Sequence, residues 1–141
     1  MFKLIERPVK IPIDSYDSLI DKLVNQLKKD NSIHSIFQVG SIKDPGISDL
    51  DLFCVFNNGS QNKKDYRESL SSAEKQILTH NIFALSLEDA PKWQLYNQLS
   101  NYRLLHGCQN IFESSNRIKL DNEIKYQIAL EYLLKMYITL H

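Results

Sequence analysis

The chain has 141 residues, and its 17 Lys+Arg balance 17 Asp+Glu to a formal net charge of zero. That length fits one domain, or one and a small appendage, and 43% hydrophobic with 24% charged residues is the composition of a globular protein, which excludes collagen-like, disordered and disulfide-scaffold classes. The missing basic excess argues against a strong grip on nucleic acid through its phosphates. Cys54 and Cys108 match no metal-ligand spacing and read as reduced thiols of a cytoplasmic protein. Lys3, Glu6, Arg7 and Lys10 interrupt the N-terminal stretch, so no signal peptide is expected. No apolar run approaches the ~20 residues of a membrane span.

Residues 14–30 are predicted as an amphipathic helix. Asp14 or Ser15 would cap it, and Leu19, Ile20, Leu23, Val24 and Leu27 fall on one stripe. Residues 33–39 read as a short buried strand ending in Gly40-Ser41. Asp44-Pro45-Gly46 signals a turn, and residues 49–56 form the best strand candidate. A helix is expected over 65–79, with Asp65 and Glu68 at capping-box spacing. Residues 82–87 suggest a third strand, and Pro91 suits the first turn of a further helix. A short strand is placed at 102–105 and a long helix at 121–140, apolar around most of its cylinder and so wanting more than one packing partner. This order predicts an α/β (α+β) fold with a small mixed sheet flanked by helices.

The chemistry concentrates in Gly40-Ser41 and in Asp49-Leu50-Asp51. A glycine after a strand lets the backbone approach a ligand, turn N–H groups cradle anions, and a serine hydroxyl adds a donor. Carboxylates at i and i+2 of a strand share a face, about 6.5–7 Å apart along it, and converge on one divalent ion or on two about 3.5–4 Å apart. Hard oxygen ligands suit Mg²⁺, which also binds substrate phosphates. A phosphate cradle beside a carboxylate pair is the minimal equipment of phosphoryl or nucleotidyl transfer.

Gly40-Ser41, the short connection, and Asp49-Leu50-Asp51 flanked by apolar strands resemble the signature of the nucleotidyltransferase superfamily, to which DNA polymerase beta, poly(A) polymerases and small bacterial minimal nucleotidyltransferases belong. The Pro45–Leu52 run is most similar to the bacterial small-molecule type. The resemblance is close over 33–56 and looser to about residue 88. It implies a nucleotidyltransferase-like domain at 1–120, while the apolar cylinder of the C-terminal helix at 121–141 points to a homodimer or to the start of a further helical domain. The resemblance also implies ATP or another NTP as donor, a small-molecule or protein hydroxyl as acceptor, and Mg²⁺, one ion or two, on Asp49 and Asp51. Gly40, Ser41 and Lys43 would meet the phosphates. The family adds a third carboxylate on a later strand. Here the interior of 82–87 holds Ala84 and Ser86, so Glu88, which shares their parity, is the candidate.

His34, His80 and His106 border or sit in apolar stretches and read as structural, as do Trp93, Tyr96 and Tyr102. If no third carboxylate joins the pair, the domain becomes a nucleotide sensor or an antitoxin-type protein-binding domain. A glycosyltransferase-type Asp-x-Asp leaves the upstream Gly-Ser unexplained.

Overall fold

The computed structural model describes residues 10–57, 64–90, 102–108, 111 and 121–140. Within them the chain is a mixed α/β domain built on a four-stranded sheet of order β3-β2-β1-β4. The strands are β1 (Ile33–Val39), β2 (Asp51–Phe56), β3 (Phe83–Ser86) and β4 (Tyr102–His106). β1 lies antiparallel to both β2 and β4, whereas β2 and β3 are parallel. The expected mixed sheet is therefore present, with β1 and β2 central.

Helix α1 (Ile13–Leu27) covers one face of the sheet. Its predicted stripe is buried: Leu19, Ile20, Leu23, Val24 and Leu27, joined by Tyr16. These side chains pack with Ile36, Leu52, Cys54 and Phe56 from the strands and with Leu50, Leu70, Ile77 and Leu78 from the connections. Alternation along β2 sends Phe53 and Val55 to the other face, where they meet Phe37, Ala90 and Ile111. The central strands are thus buried on both sides, which is why β2 reads as an unbroken apolar run rather than an alternating one. Burial pushes the Cys54 thiol up to about 12, so this cysteine behaves as a small core hydrophobe.

The helices depart from expectation in two places besides the end of α1, which stops at Leu27 rather than at residue 30. α1 begins one residue early with Pro12 at its N-cap, and no side chain caps it; Asp14 lies inside the first turn, where a negative charge suits the helix dipole. The helix predicted over 65–79 is broken in two. A 3₁₀ turn occupies Tyr66–Ser69, capped by Asp65 through the Arg67 N–H, and buried Leu70 then takes an extended conformation. Helix α2 (Ser72–Ile77) restarts at a complete capping box: the Ser71 hydroxyl accepts from the Glu74 N–H, and the Glu74 carboxylate accepts from the Ser71 N–H. The Ser71-x-x-Glu74 spacing was present in the sequence and is the better of the two capping signals. The helix expected after Pro91 lies outside the described residues.

Lys22 of α1 donates to Glu74 of α2 at 2.6 Å. That bond, together with the Ser71 N–H, pulls the Glu74 carboxyl from about 4.5 down to about 2. A depressed carboxyl binds fewer protons in the folded than in the unfolded chain. Its stabilisation is complete above about pH 4.5 and is lost as pH falls towards 2. Both side chains are partly exposed, so Lys22→Met is expected to cost only about 0.5–1 kcal/mol at pH 7. The difference from the parent should shrink as pH falls from about 4.5 to about 2, as read by urea denaturation across that range.

The last helix, α3 (Asn122–Leu140), carries Tyr126, Leu130, Tyr132, Leu133, Leu134, Met136 and Tyr137 as exposed side chains. The apolar surface predicted around this cylinder is therefore present and open. Among the described residues no helix is long and apolar enough to cross a membrane.

Candidate metal centre

β1 ends at Val39, and its register sets Val39 opposite Asp51, the first residue of β2. Gly40 therefore leaves the sheet directly beside Asp51. Its φ of +71° is a conformation that side chains with a Cβ rarely adopt, and a Cβ built there would lie 4.0 Å from Asp51 Oδ2. The bend and the carboxylates thus occupy the same end of the sheet.

Asp49 lies just outside β2, not within the predicted strand, but it stays on the same side as Asp51. Between them Leu50 is fully buried, and its N–H donates to the Ile77 carbonyl at 2.8 Å. Burying the middle residue turns the two flanking carboxylates outward together. A second anchor lies in the preceding loop. Tyr16, fully buried in α1, donates its hydroxyl to the Ser48 carbonyl at 2.6 Å and accepts from the Gly46 N–H at 3.0 Å. Tyr16→Phe would leave both backbone groups without that partner and is expected to cost about 2 kcal/mol in urea denaturation.

The third side chain at this centre is His80. One ligand atom from each of Asp49, Asp51 and His80 lies within 4.8 Å of the others. His80 Nε2 is 2.6 Å from Asp51 Oδ1 and 4.0 Å from Asp49 Oδ2. The opposite nitrogen, Nδ1, is 2.8 Å from the Asn81 carbonyl, which can only accept, so Nδ1 carries the proton and Nε2 is the edge aimed at the carboxylates. The Phe83 ring packs against the imidazole at a centroid distance of 4.7 Å. Asn81 is itself pinned: its Oδ1 accepts from the Tyr66 and Ile82 N–H groups, and its Nδ2 donates to the Lys64 carbonyl. Thr79 donates to Asp49 Oδ2 at 3.1 Å. The segment between α2 and β3 thus forms one wall of the centre. The side chains of Asp49, Asp51 and His80 keep 46%, 33% and 36% exposure, so solvent ions reach them.

Glu88 is not brought to this centre, which corrects the expectation for the third ligand. The parallel register pairs Phe53 with Phe83, so Asp51 is level with position 81. Ser86, the end of β3, is then five residues (86 − 81) further along, about 16 Å at ~3.3 Å per residue. Beyond it Glu88 is exposed in a turn closed by Ser86, whose hydroxyl donates to Asp89 Oδ2 and accepts from the Asp89 N–H. Parallel pairing sets the residues before β3, rather than those after it, beside Asp51. His80, read as structural from sequence, occupies that position.

On the other side of Gly40 a shallow cleft of about 310 Å³ is lined by Gly40, Ser41, Gln38, Asp17 and Arg103, with Ile13 and Ile42. Lys43 is exposed in the same loop and does not line it. Arg103 arrives because β4 pairs with the free edge of β1, setting Arg103 opposite Gln38. Its contribution could not be seen in the sequence, where it is one arginine in a short strand.

A scan of the chain against protein-family models finds no match, and a search of curated proteins finds no relative.

Proposed function

We propose that the chain is a metal-dependent nucleotidyltransferase that moves a nucleoside monophosphate from an NTP, ATP foremost, to a hydroxyl of a small molecule or a protein. The observation that carries this reading is the adjacency of Gly40 to Asp51, which sets a bend able to receive phosphate beside a group of side chains able to hold a cation. Two carboxylates and an imidazole converging within 4.8 Å suit a divalent ion, and Asp49, Asp51 and His80 would hold it. A divalent ion held there, one or two of them, would supply the charge that neutralises the triphosphate and polarises the α-phosphorus.

The chain's own groups then divide the work. Gly40 and Ser41 offer backbone and hydroxyl donors to the β- and γ-phosphates, and Arg103 faces the same cleft as a fixed positive charge. Attack of the acceptor hydroxyl on the α-phosphorus breaks the bond to the β-phosphate and releases pyrophosphate and a proton. The neutral net charge favours a compact acceptor over a long polyanion. Titration of Mg²⁺-ATP into the purified chain, with Asp51→Asn alongside, tests this; equal binding by both proteins overturns it.

A second reading, a nucleotidyltransferase-like sensor or antitoxin-type partner domain, is favoured by two observations. No third carboxylate joins Asp49 and Asp51 among the described residues, and α3 exposes a large apolar surface. Turnover of an NTP by the purified chain excludes it.

A further inference from the structure

We infer that the imidazole of His80, in the place of a third carboxylate, makes this centre selective for a divalent first-row transition ion of the manganese-to-zinc series over Mg²⁺. The inference rests on the reading of Asp49 and Asp51 as metal ligands and specifies which ion they take.

The donor set leads there. Three carboxylates form a hard oxygen site suited to Mg²⁺, which favours oxygen ligands and water. Replacing one of them by an imidazole nitrogen moves the site towards Mn²⁺, Co²⁺ and Zn²⁺, which accept nitrogen and carboxylate together. His80 is built as a ligand. Its Nδ1–H donates to the Asn81 carbonyl at 2.8 Å, the outer hydrogen bond that orients metal-binding histidines and fixes their tautomer. The Phe83 ring holds the imidazole plane, and Asn81 is locked by three further hydrogen bonds. The Nε2 edge faces carboxylate oxygens at 2.6 and 4.0 Å. A histidine with a purely packing role has no need of a fixed tautomer aimed at two acids.

The experiment titrates the metal-stripped full chain with Mn²⁺ and follows the bound ion by electron paramagnetic resonance, with Mg²⁺ as competitor. The expected result is Mn²⁺ bound more tightly than Mg²⁺, with nitrogen hyperfine coupling from one imidazole. His80→Asn should lose that coupling and at least about tenfold of the Mn²⁺ affinity. His80→Asp should lose the coupling and narrow the ratio of Mn²⁺ to Mg²⁺ affinity. Should either variant fail to fold, the nitrogen coupling in the unaltered chain decides alone. Bound Mn²⁺ without nitrogen coupling, or an unchanged metal ratio in a folded His80→Asn, overturns the inference. Nitrogen-coupled Mn²⁺ binding in a chain that takes no ATP with either metal sustains it while removing the nucleotidyltransferase reading. ATP binding that depends on Asp51 but shows no nitrogen coupling does the reverse.

Discussion

Asp51→Asn is expected to weaken Mg²⁺-ATP binding about 100-fold while leaving the fold intact. The amide keeps the shape of the side chain but removes the negative charge nearest to His80 and to the Gly40 bend. Opposite unit charges about 4 Å apart attract by about 4 kcal/mol at an effective dielectric near 20. Partial exposure of Asp51 reduces that, and a loss of about 100-fold in metal-dependent affinity, near 2.7 kcal/mol, is the reasonable scale. Asp49→Asn should act in the same direction but less strongly, because Asp49 is the more exposed of the two and lies further from Nε2. Isothermal titration of each variant with Mg²⁺-ATP reads the effect. Far-UV circular dichroism should be unchanged, since neither carboxylate belongs to the core.

Gly107→Ala is expected to give the largest loss of stability, about 3 kcal/mol or more in urea denaturation. Gly107 follows β4 with φ at +92°, where a Cβ is already strained. The added Cβ would also overlap the His34 carbonyl oxygen and come within 2.7 Å of the Ser35 Cα, both backbone atoms of β1 that cannot rotate away. This close approach has a purpose. Ser35 is fully buried, and its hydroxyl donates to the Cys108 carbonyl while accepting from the Cys108 N–H. The chain after β4 must lie flat on β1 for that exchange. Pushing it off would leave buried polar groups unsatisfied and loosen the strand that carries Arg103. Gly107→Ala should therefore weaken nucleotide binding as well, through the position of Arg103, whereas Tyr16→Phe acts on the loop leading to Asp49.

The sequence by itself determined the elements whose residues carry their own pattern. The stripe of α1 and the short apolar runs of β1 and β2 declare period and burial without help from distant residues. The Gly40-Ser41 bend and the Asp49/Asp51 pair were legible for the same reason, since each is a local spacing in which chemistry needs particular residue types. The split at Leu70 was less legible, because two capping signals six residues apart are both used, and only the burial of Leu70 in an extended conformation separates the turns that they cap.

Tertiary structure alone decided the rest of the centre. Strand parity correctly identifies which residues share a face but carries no information on whether β3 runs parallel or antiparallel to β2. The parallel pairing delivers His80 and Thr79 to the acids and carries Glu88 away from them. Likewise, nothing in the residues around 103 announces that β4 fills the open edge of β1 and brings Arg103 to the cleft that Ser41 also lines. Spacing along a chain fixes neighbours within an element, whereas strand direction and order are settled by which faces must be buried against each other, a property of the whole assembly.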